Sequence, residues 1–224
     1  MIPIPKDRVW LLLTATITPM ANLPAFARSD PVARLRDYEA AFDFYLGLLA
    51  TGQVERIIFA ENSLSDVCSL VQKAETAGLR QRVQFVSFGG LDFPPERGRG
   101  YGEFRMVDRA IEESGFIQES PGVTVWKCTG RYVIRNIDRI IAKAPRQFDI
   151  YCHCRNYPYR LAELYLIGWN LRGYRAVISG MADSISADHL PAGGYTHEVL
   201  FRRLIDGARG WVSVAPRFAD VPLI

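Results

Sequence analysis

The 224-residue chain has no apolar run long enough to cross a bilayer, no low-complexity tract and no internal repeat. Membrane-spanning, fibrous and solenoid classes are thereby set aside. Cysteine is scarce, and Cys68, Cys128, Cys152 and Cys154 fall on predicted strands or a helix and not at framework spacings. That distribution argues for reduced thiols in a cytosolic protein and against a disulfide scaffold. Lysine is scarcer than the charge suggests: of 27 basic residues, only Lys6, Lys73, Lys127 and Lys143 are lysines. Arginine is the better bidentate partner for phosphate, although a bias toward arginine on solvated faces would give the same count. The formal net charge of +3 is mild, and no nucleic-acid partner is expected.

What is present is ordinary globular material, with 49% hydrophobic and 23% charged residues, enough for one packed domain over 1–224 with disorder expected only at the ends. The segment Lys6 to Ile17, followed by Ala25-Phe26-Ala27, mimics a secretory signal. Its apolar part is short and interrupted by threonine, so Val9 to Ile17 is read instead as a buried first strand. Asp30 as N-cap and Pro31 at the first helical position open a helix to about Ala50. Val54–Ala60 and Arg82–Phe88 read as strands flanking a helix from Asp66 to about Ala77 with Ser65 as its cap. A helix from Tyr101 to about Ser114, a strand from Val123 to Cys128 and an amphipathic helix from Val133 to Ile141 follow. Strand and helix alternate, so the predicted fold is α/β: one Rossmann-like domain with a mainly parallel central sheet covered by helices. Beyond Pro145 the rhythm loosens. Phe148–Cys154 is a strand, Leu161–Trp169 is strand or helix, and Asn170–Ile178 is helical. A glycine loop then leads into a helix ending near Ala208, Trp211–Val214 makes a last short strand, and Pro216–Ile224 is a loop tail.

The most informative stretch is Gly122-Val-Thr-Val-Trp-Lys-Cys-Thr-Gly-Arg-Tyr132, an apolar strand that ends in Lys127, Thr129, Gly130 and Arg131. Open α/β sheets bind ligands at that carboxyl edge. Strand alternation puts Lys127 and Thr129 on one side, and Gly130 permits a sharp turn that brings Arg131 round the same edge. One element upstream, Arg97-Gly-Arg-Gly-Tyr-Gly-Glu103 opens a helix. Its glycines Gly100 and Gly102 allow close backbone approach, and Arg97 and Arg99 supply charge for a phosphate at a helix N-terminus. Glu103 has a plainer role as a first-turn carboxylate. The glycine spacing matches neither a P-loop nor a dinucleotide fingerprint.

Taken together, R-G-x-G-Y-G-E and K-x-T-G-R-Y resemble motifs of a group of small bacterial glycosyltransferases that build surface polysaccharides, over roughly residues 9 to 208. The resemblance implies a GT-A-like fold, a nucleotide-sugar co-substrate and no permanently bound cofactor. It also implies transfer to a hydroxyl of a surface glycan (lipopolysaccharide O-chain or capsule), free or lipid-linked. A cytoplasmic enzyme with peripheral association at the inner face of the membrane fits that acceptor, although no strongly basic amphipathic helix argues for it. On this reading Lys127 and Arg131 stabilise the departing diphosphate, with Thr129, Gly130, Arg97, Arg99 and Glu103 around it. Glu61 and Asn62, after the second strand, face the base or ribose; alternatively Ser63 or Ser65 caps a helix and Asn62 makes a turn. Arg155, at the end of Cys152-His-Cys-Arg-Asn156, contacts donor phosphate or acceptor sugar. The Cys-His-Cys run is not a zinc site, because neighbours on a strand point to opposite faces.

Glu198, in Gly193-Gly-Tyr-Thr-His-Glu198, has the place of the base that takes the acceptor's proton. His197 is the alternative, Asp183 and Asp188 are weaker ones, and Glu198 as a simple first-turn carboxylate is the plain reading. The resemblance departs at one point: no Asp-x-Asp occurs, the pair that normally holds the donor's metal, so no divalent metal is expected to be required. Two rivals stay open, another Rossmann-like nucleotide-dependent enzyme and a non-catalytic nucleotide-binding scaffold subunit of a polysaccharide assembly complex.

Overall fold

The computed structural model describes residues 8–21, 28–119, 122–185, 196–208 and 214–215. Seven strands form one sheet: β1 (Arg8–Ala15), β2 (Arg56–Glu61), β3 (Val83–Ser87), β4 (Val123–Thr129), β5 (Ile150–Arg155), β6 (Leu161–Trp169) and β7 (Val214–Ala215), in the order β3-β2-β1-β4-β6-β5-β7. β1 to β4 pair in parallel. β6 is wedged between β4 and β5 and is antiparallel to both, while β5 and β7 are parallel.

Alternation along the strands explains why both faces are covered. Trp10 and Leu12 of β1 with Ile58 and Ala60 of β2 face one core; Leu11, Leu13, Ile57 and Phe59 face the other. The second core is closed by α1 (Pro31–Ala50), α2 (Cys68–Thr76) and α5 (Ile137–Lys143), through Tyr38, Phe42, Tyr45, Leu70, Ile137 and Ile140. The first is closed by α3 (Gly98–Glu113), α4 (Phe116–Glu119), the short α6 (Leu171–Gly173) with the turn after it, and α7 (Thr196–Ala208). Phe104, Phe116, Tyr174 and Phe201 are the large anchors there. Each such buried aromatic is worth roughly 1.5–3 kcal/mol over its exposed state.

α1 has the expected bounds, with both Asp30 carboxylate oxygens accepting from Val32 and Ala33 N–H at 3.2 Å. Other boundaries differ for identifiable reasons. Ser65 is not the cap of α2; its N–H is drawn to Glu61, and Asp66 accepts from Cys68 N–H at 2.8 Å instead. α5 is shorter than the run of isoleucines because the Tyr45 hydroxyl donates to Tyr132 C=O (2.6 Å) and accepts from Ile134 N–H (3.3 Å), holding that turn out of the helix. α3 begins at Gly98 and not Tyr101, so the glycines sit in its first turn. Residues 191–195, Asp188, residues 211–213 and the 216–224 tail lie outside the described residues. No described helix is long and apolar enough to cross a membrane.

Candidate active site

The strand order reverses direction between β1 and β4, and in open α/β sheets a crevice forms outside the carboxyl ends at such a point. A cavity of about 550 Å³ lies there. Its floor is Thr14 near the end of β1 and Thr16 just past it, Asn62 after β2, and Thr129 at the end of β4 with Arg131 beyond it. Its walls are the first turns of α3 and α7, and the start of β6. This volume suits a small-molecule ligand with a few placed polar groups.

The two glycine-containing turns converge as expected, but the glycines serve side chains of the protein. A Cβ on Gly100 would stand 2.0 Å from Cγ of His197, and one on Gly102 would stand 2.8 Å from the Phe93 ring. The start of α3 is therefore a seat for the His197 imidazole, which places the first turn of α7 over the cavity. Gly130 has a comparable role. Its N–H donates to Thr14 C=O at 2.8 Å, and a Cβ would lie 2.9 Å from that same oxygen, so only glycine lets the β4 end approach β1 this closely. Close approach, not a left-handed turn, is what it supplies.

Of the expected cations, two line the cavity: Arg99 and Arg131. Arg131 stacks on the Tyr132 ring at 4.7 Å and donates to its hydroxyl at 3.0 Å, which orients the guanidinium along the rim. Lys127 does not line it. It is 2% exposed, donates to Leu164 C=O at 2.6 Å and forms an ion pair with Glu103 from beneath. The lysine's charge is met by Glu103, which also accepts from Thr14 Oγ at 3.2 Å and is itself the group on the cavity wall. Arg97 lies over the Tyr101 ring at 4.7 Å, with an Nη1 contact to Ile185 C=O at 3.4 Å. Arg155 is paired with Glu163 at 2.7 Å and stands behind the lining.

Glu61 has a structural assignment. At 1% exposure its carboxylate accepts from Ile17, Ser63 and Ser65 N–H at 3.0–3.1 Å and from the Ser63 hydroxyl, so it organises the loops after β1 and β2. Asn62 keeps a place on the cavity, its Oδ1 accepting from Thr16 Oγ at 2.6 Å.

His197 and Glu198 both face the cavity. Burial pushes the Glu198 carboxyl above its ordinary range, opposed by a hydrogen bond from its own backbone N–H and by Arg99 and aided by the negative charges of Glu103 and Glu163. Burial likewise pulls the His197 imidazole down, and Arg99 adds to that while Glu103 opposes it. Glu198 Oε2 and His197 Nδ1 are buried atoms with no hydrogen-bond partner among the described residues. A carboxylate held in this way can accept a proton from a ligand hydroxyl. Asp183 sits in the turn Met181–Ser184 and is not part of the lining.

Residue patterns hid some contributors. Arg34, 3% exposed on the apolar face of α1, donates to the Thr16 and Arg28 carbonyls and to Tyr38 Oη, and its end lines the cavity. The spacing Arg34, Tyr38, Phe42 was the available signal, since it places a cation in a helix's buried stripe. Glu163, a lone charge in an otherwise apolar strand, was a second such signal.

Among the described residues no group of three His, Cys, Asp or Glu is placed to hold an ion, Glu61 being saturated by backbone N–H groups and Glu103 tied to Lys127. In β5, Cys152 and Cys154 share a face with sulfurs 3.6 Å apart, while His153 Nδ1 lies 3.4 Å from the Tyr165 hydroxyl.

No protein-family model matches the chain, and neither does any curated protein. Solved structures to which it is similar include a candidate nucleotide-diphospho-sugar transferase from Desulfovibrio desulfuricans G20, at 15% identity and a TM-score of 0.48, covering 93% of this chain and 79% of that one. Another is the galactosyltransferase LgtC in complex with donor and acceptor sugar analogues, at 12% identity and a TM-score of 0.44, covering 92% of this chain and 73% of the other.

Proposed function

We propose that the protein is a glycosyltransferase with a GT-A-like site, moving a sugar from a nucleotide-sugar donor to a hydroxyl of a bacterial surface glycan. The observation that carries this reading is the presence in one cavity lining of two guanidinium side chains, Arg99 and Arg131, and of a carboxylate, Glu198, whose buried Oε2 has no partner among the described residues. In glycosyl transfer the nucleotide diphosphate gains negative charge as the bond to the sugar breaks, so fixed cations facing it lower the barrier. The acceptor hydroxyl must lose a proton as the new bond forms. Glu198 Oε2 takes that proton, the acceptor oxygen bonds to the anomeric carbon, and the electrons of the broken bond leave with the diphosphate. Direct displacement of this kind inverts the anomeric carbon.

We take Glu198 and not His197 as the base, and assign the His197 ring, which packs on Gly100, to holding the first turn of α7. Glu103 and Lys127 form a neutral pair beneath the donor, so Lys127 supports the wall from below without itself meeting phosphate. No metal is assigned to the leaving group.

Isothermal calorimetry against nucleoside diphosphates and nucleotide sugars tests the reading. At least one should bind, and Arg131→Ala should weaken that binding. Failure of every one to bind would overturn the proposal.

A further inference from the structure

Large apolar side chains exposed to solvent are few among the described residues: Val32, Leu64, Tyr157 and Tyr159. Two of the four stand on one five-residue connection, Asn156 to Arg160, which joins β5 to β6. Tyr157 is 87% exposed and Tyr159 51%. The register fixes where this hairpin points. β6 runs antiparallel to β4, with Leu166 opposite Cys128 and Trp169 opposite Val125, so Leu161 and the hairpin before it extend beyond the carboxyl edge of β4, the edge on which the cavity opens. Glu163 belongs to the cavity lining and lies four residues from Tyr159, at most about 13 Å along an extended strand.

The hairpin is anchored. Arg202 of α7, 5% exposed, donates to Asn156 Oδ1 at 3.2 Å and to Arg155 C=O at 3.4 Å, and its Nε donates to Asp206 at 3.0 Å. Arg160 pairs with the same Asp206, and Arg155 with Glu163. The tyrosines are thus carried on a connection tied by charged pairs to the helix whose first turn holds His197 and Glu198. Aromatic faces with hydroxyl tips, flanked by Asn156 and Arg160, match both surfaces that a saccharide presents: C–H faces that stack on rings, and hydroxyl edges that hydrogen-bond with polar groups.

We propose that Tyr157 and Tyr159 form an acceptor platform, binding an oligosaccharide at sugars beyond the one that reacts and delivering its terminal hydroxyl to Glu198. This rests on the transferase reading for the reaction, while the platform itself is a binding site that can be read without turnover. The occupant is a saccharide and not a nucleotide, because the hairpin lies outside the cavity where Arg99 and Arg131 stand.

The test is binding of the full-length protein to an array of defined oligosaccharides of increasing length, beside calorimetry with nucleoside diphosphates. Wild type should bind a subset of oligosaccharides, favouring longer members of a series. Tyr157→Ala combined with Tyr159→Ala should weaken that binding about tenfold or more, as expected for losing two stacking rings, and Tyr157→Phe should retain it. Nucleotide affinity, unchanged in the double variant, serves as the control for the fold. Oligosaccharide binding equal in wild type and the double alanine variant would overturn the platform, as would no binding by wild type. Nucleotide binding with either outcome would leave the transferase reading standing. Tyrosine-dependent glycan binding with no nucleotide bound would sink that reading and keep the platform.

Discussion

Two carboxylates sit at the same sheet edge in opposite circumstances. At the end of β2, Glu61 is buried with its oxygens taken by three backbone N–H groups and a serine hydroxyl. In the first turn of α7, Glu198 is half-buried, with a buried Oε2 that is unpartnered among the described residues and its pKa raised. A buried carboxylate whose oxygens accept several backbone N–H groups satisfies those donors and works as a structural brace. One left incompletely paired is destabilising to the fold and available to a ligand. The contrast separates fold from function at this edge more sharply than position along the chain does, since Glu61 ends a strand at the carboxyl edge just as Glu198 begins a helix beside it.

The comparison is most easily broken at its catalytic end. Glu198→Gln keeps the shape and removes the base, so turnover should fall by about 10²–10⁴-fold while donor affinity changes little. Near-normal turnover would make Glu198 a plain first-turn carboxylate. Glu61→Ala should act differently. Losing an acceptor shared by several buried donors should cost on the order of 3 kcal/mol of stability, read as a lowered denaturant midpoint. Loss of turnover without loss of stability in that variant would return Glu61 to the ligand side of the comparison.

A second group of substitutions tests the geometry that keeps Glu198 in place and the charge it faces. Gly100→Ala puts a methyl into the His197 ring, and a misplacement near 1 Å at the base can cost roughly a hundredfold in rate. The effect should appear in turnover, with nucleotide affinity nearly constant. Arg131→Ala removes a fixed donor to the leaving group and should slow transfer by roughly a hundredfold, about 3 kcal/mol, with weaker donor binding as well. If both variants weakened only nucleotide binding, the seat for His197 would have no part in positioning the base.

These contrasts also mark how far the sequence could be read. The alternating pattern from Val9 to Cys128 located β1 to β4, and Asp30-Pro31 marked the start of α1, because buried parallel strands and capped helices leave local signatures. β6 stayed ambiguous, since a nine-residue apolar stretch fits strand or helix until its partners are known. The convergence of the Arg97–Glu103 and Lys127–Tyr132 segments was legible from sheet logic. Which cations face the cavity was not: Lys127 is turned to Glu103, an interaction between β4 and α3 that no local pattern encodes. The glycines were misjudged for the same reason. Their space is filled by His197 and Phe93, from distant parts of the chain.

pH offers a smaller and more discriminating effect. As a base, Glu198 must be deprotonated, so turnover should rise with pH through a midpoint above the ordinary glutamate range. Stability runs the other way. A carboxyl whose folded pKa is raised favours the folded state when protonated, an advantage present below the unfolded pKa and lost as pH rises through the folded one. Glu198→Gln should therefore match wild type in stability at acidic pH and exceed it near neutrality, seen as a melting temperature difference that grows with pH. A variant less stable than wild type at neutral pH would show that Glu198 is braced in the manner of Glu61.

The smallest expected effect is none at all. A diphosphate leaving group needs countercharge, and in this cavity Arg99 and Arg131 supply it, while Glu103 on the wall is engaged with Lys127 and Thr14, and Glu61, outside the lining, with backbone N–H groups. With no Asp-x-Asp in the chain, transfer should proceed at the same rate in excess chelator as with added magnesium or manganese. Arg131→Ala sharpens the test, because a metal that carried the countercharge would mask the loss of one guanidinium. Chelator that abolished turnover, with metal restoring it, would overturn the cation-only site. Glu103 would then have to release Lys127 to become a ligand beside Glu163 or Glu198, and the carboxylate assigned here as the base would need to be reassigned as well.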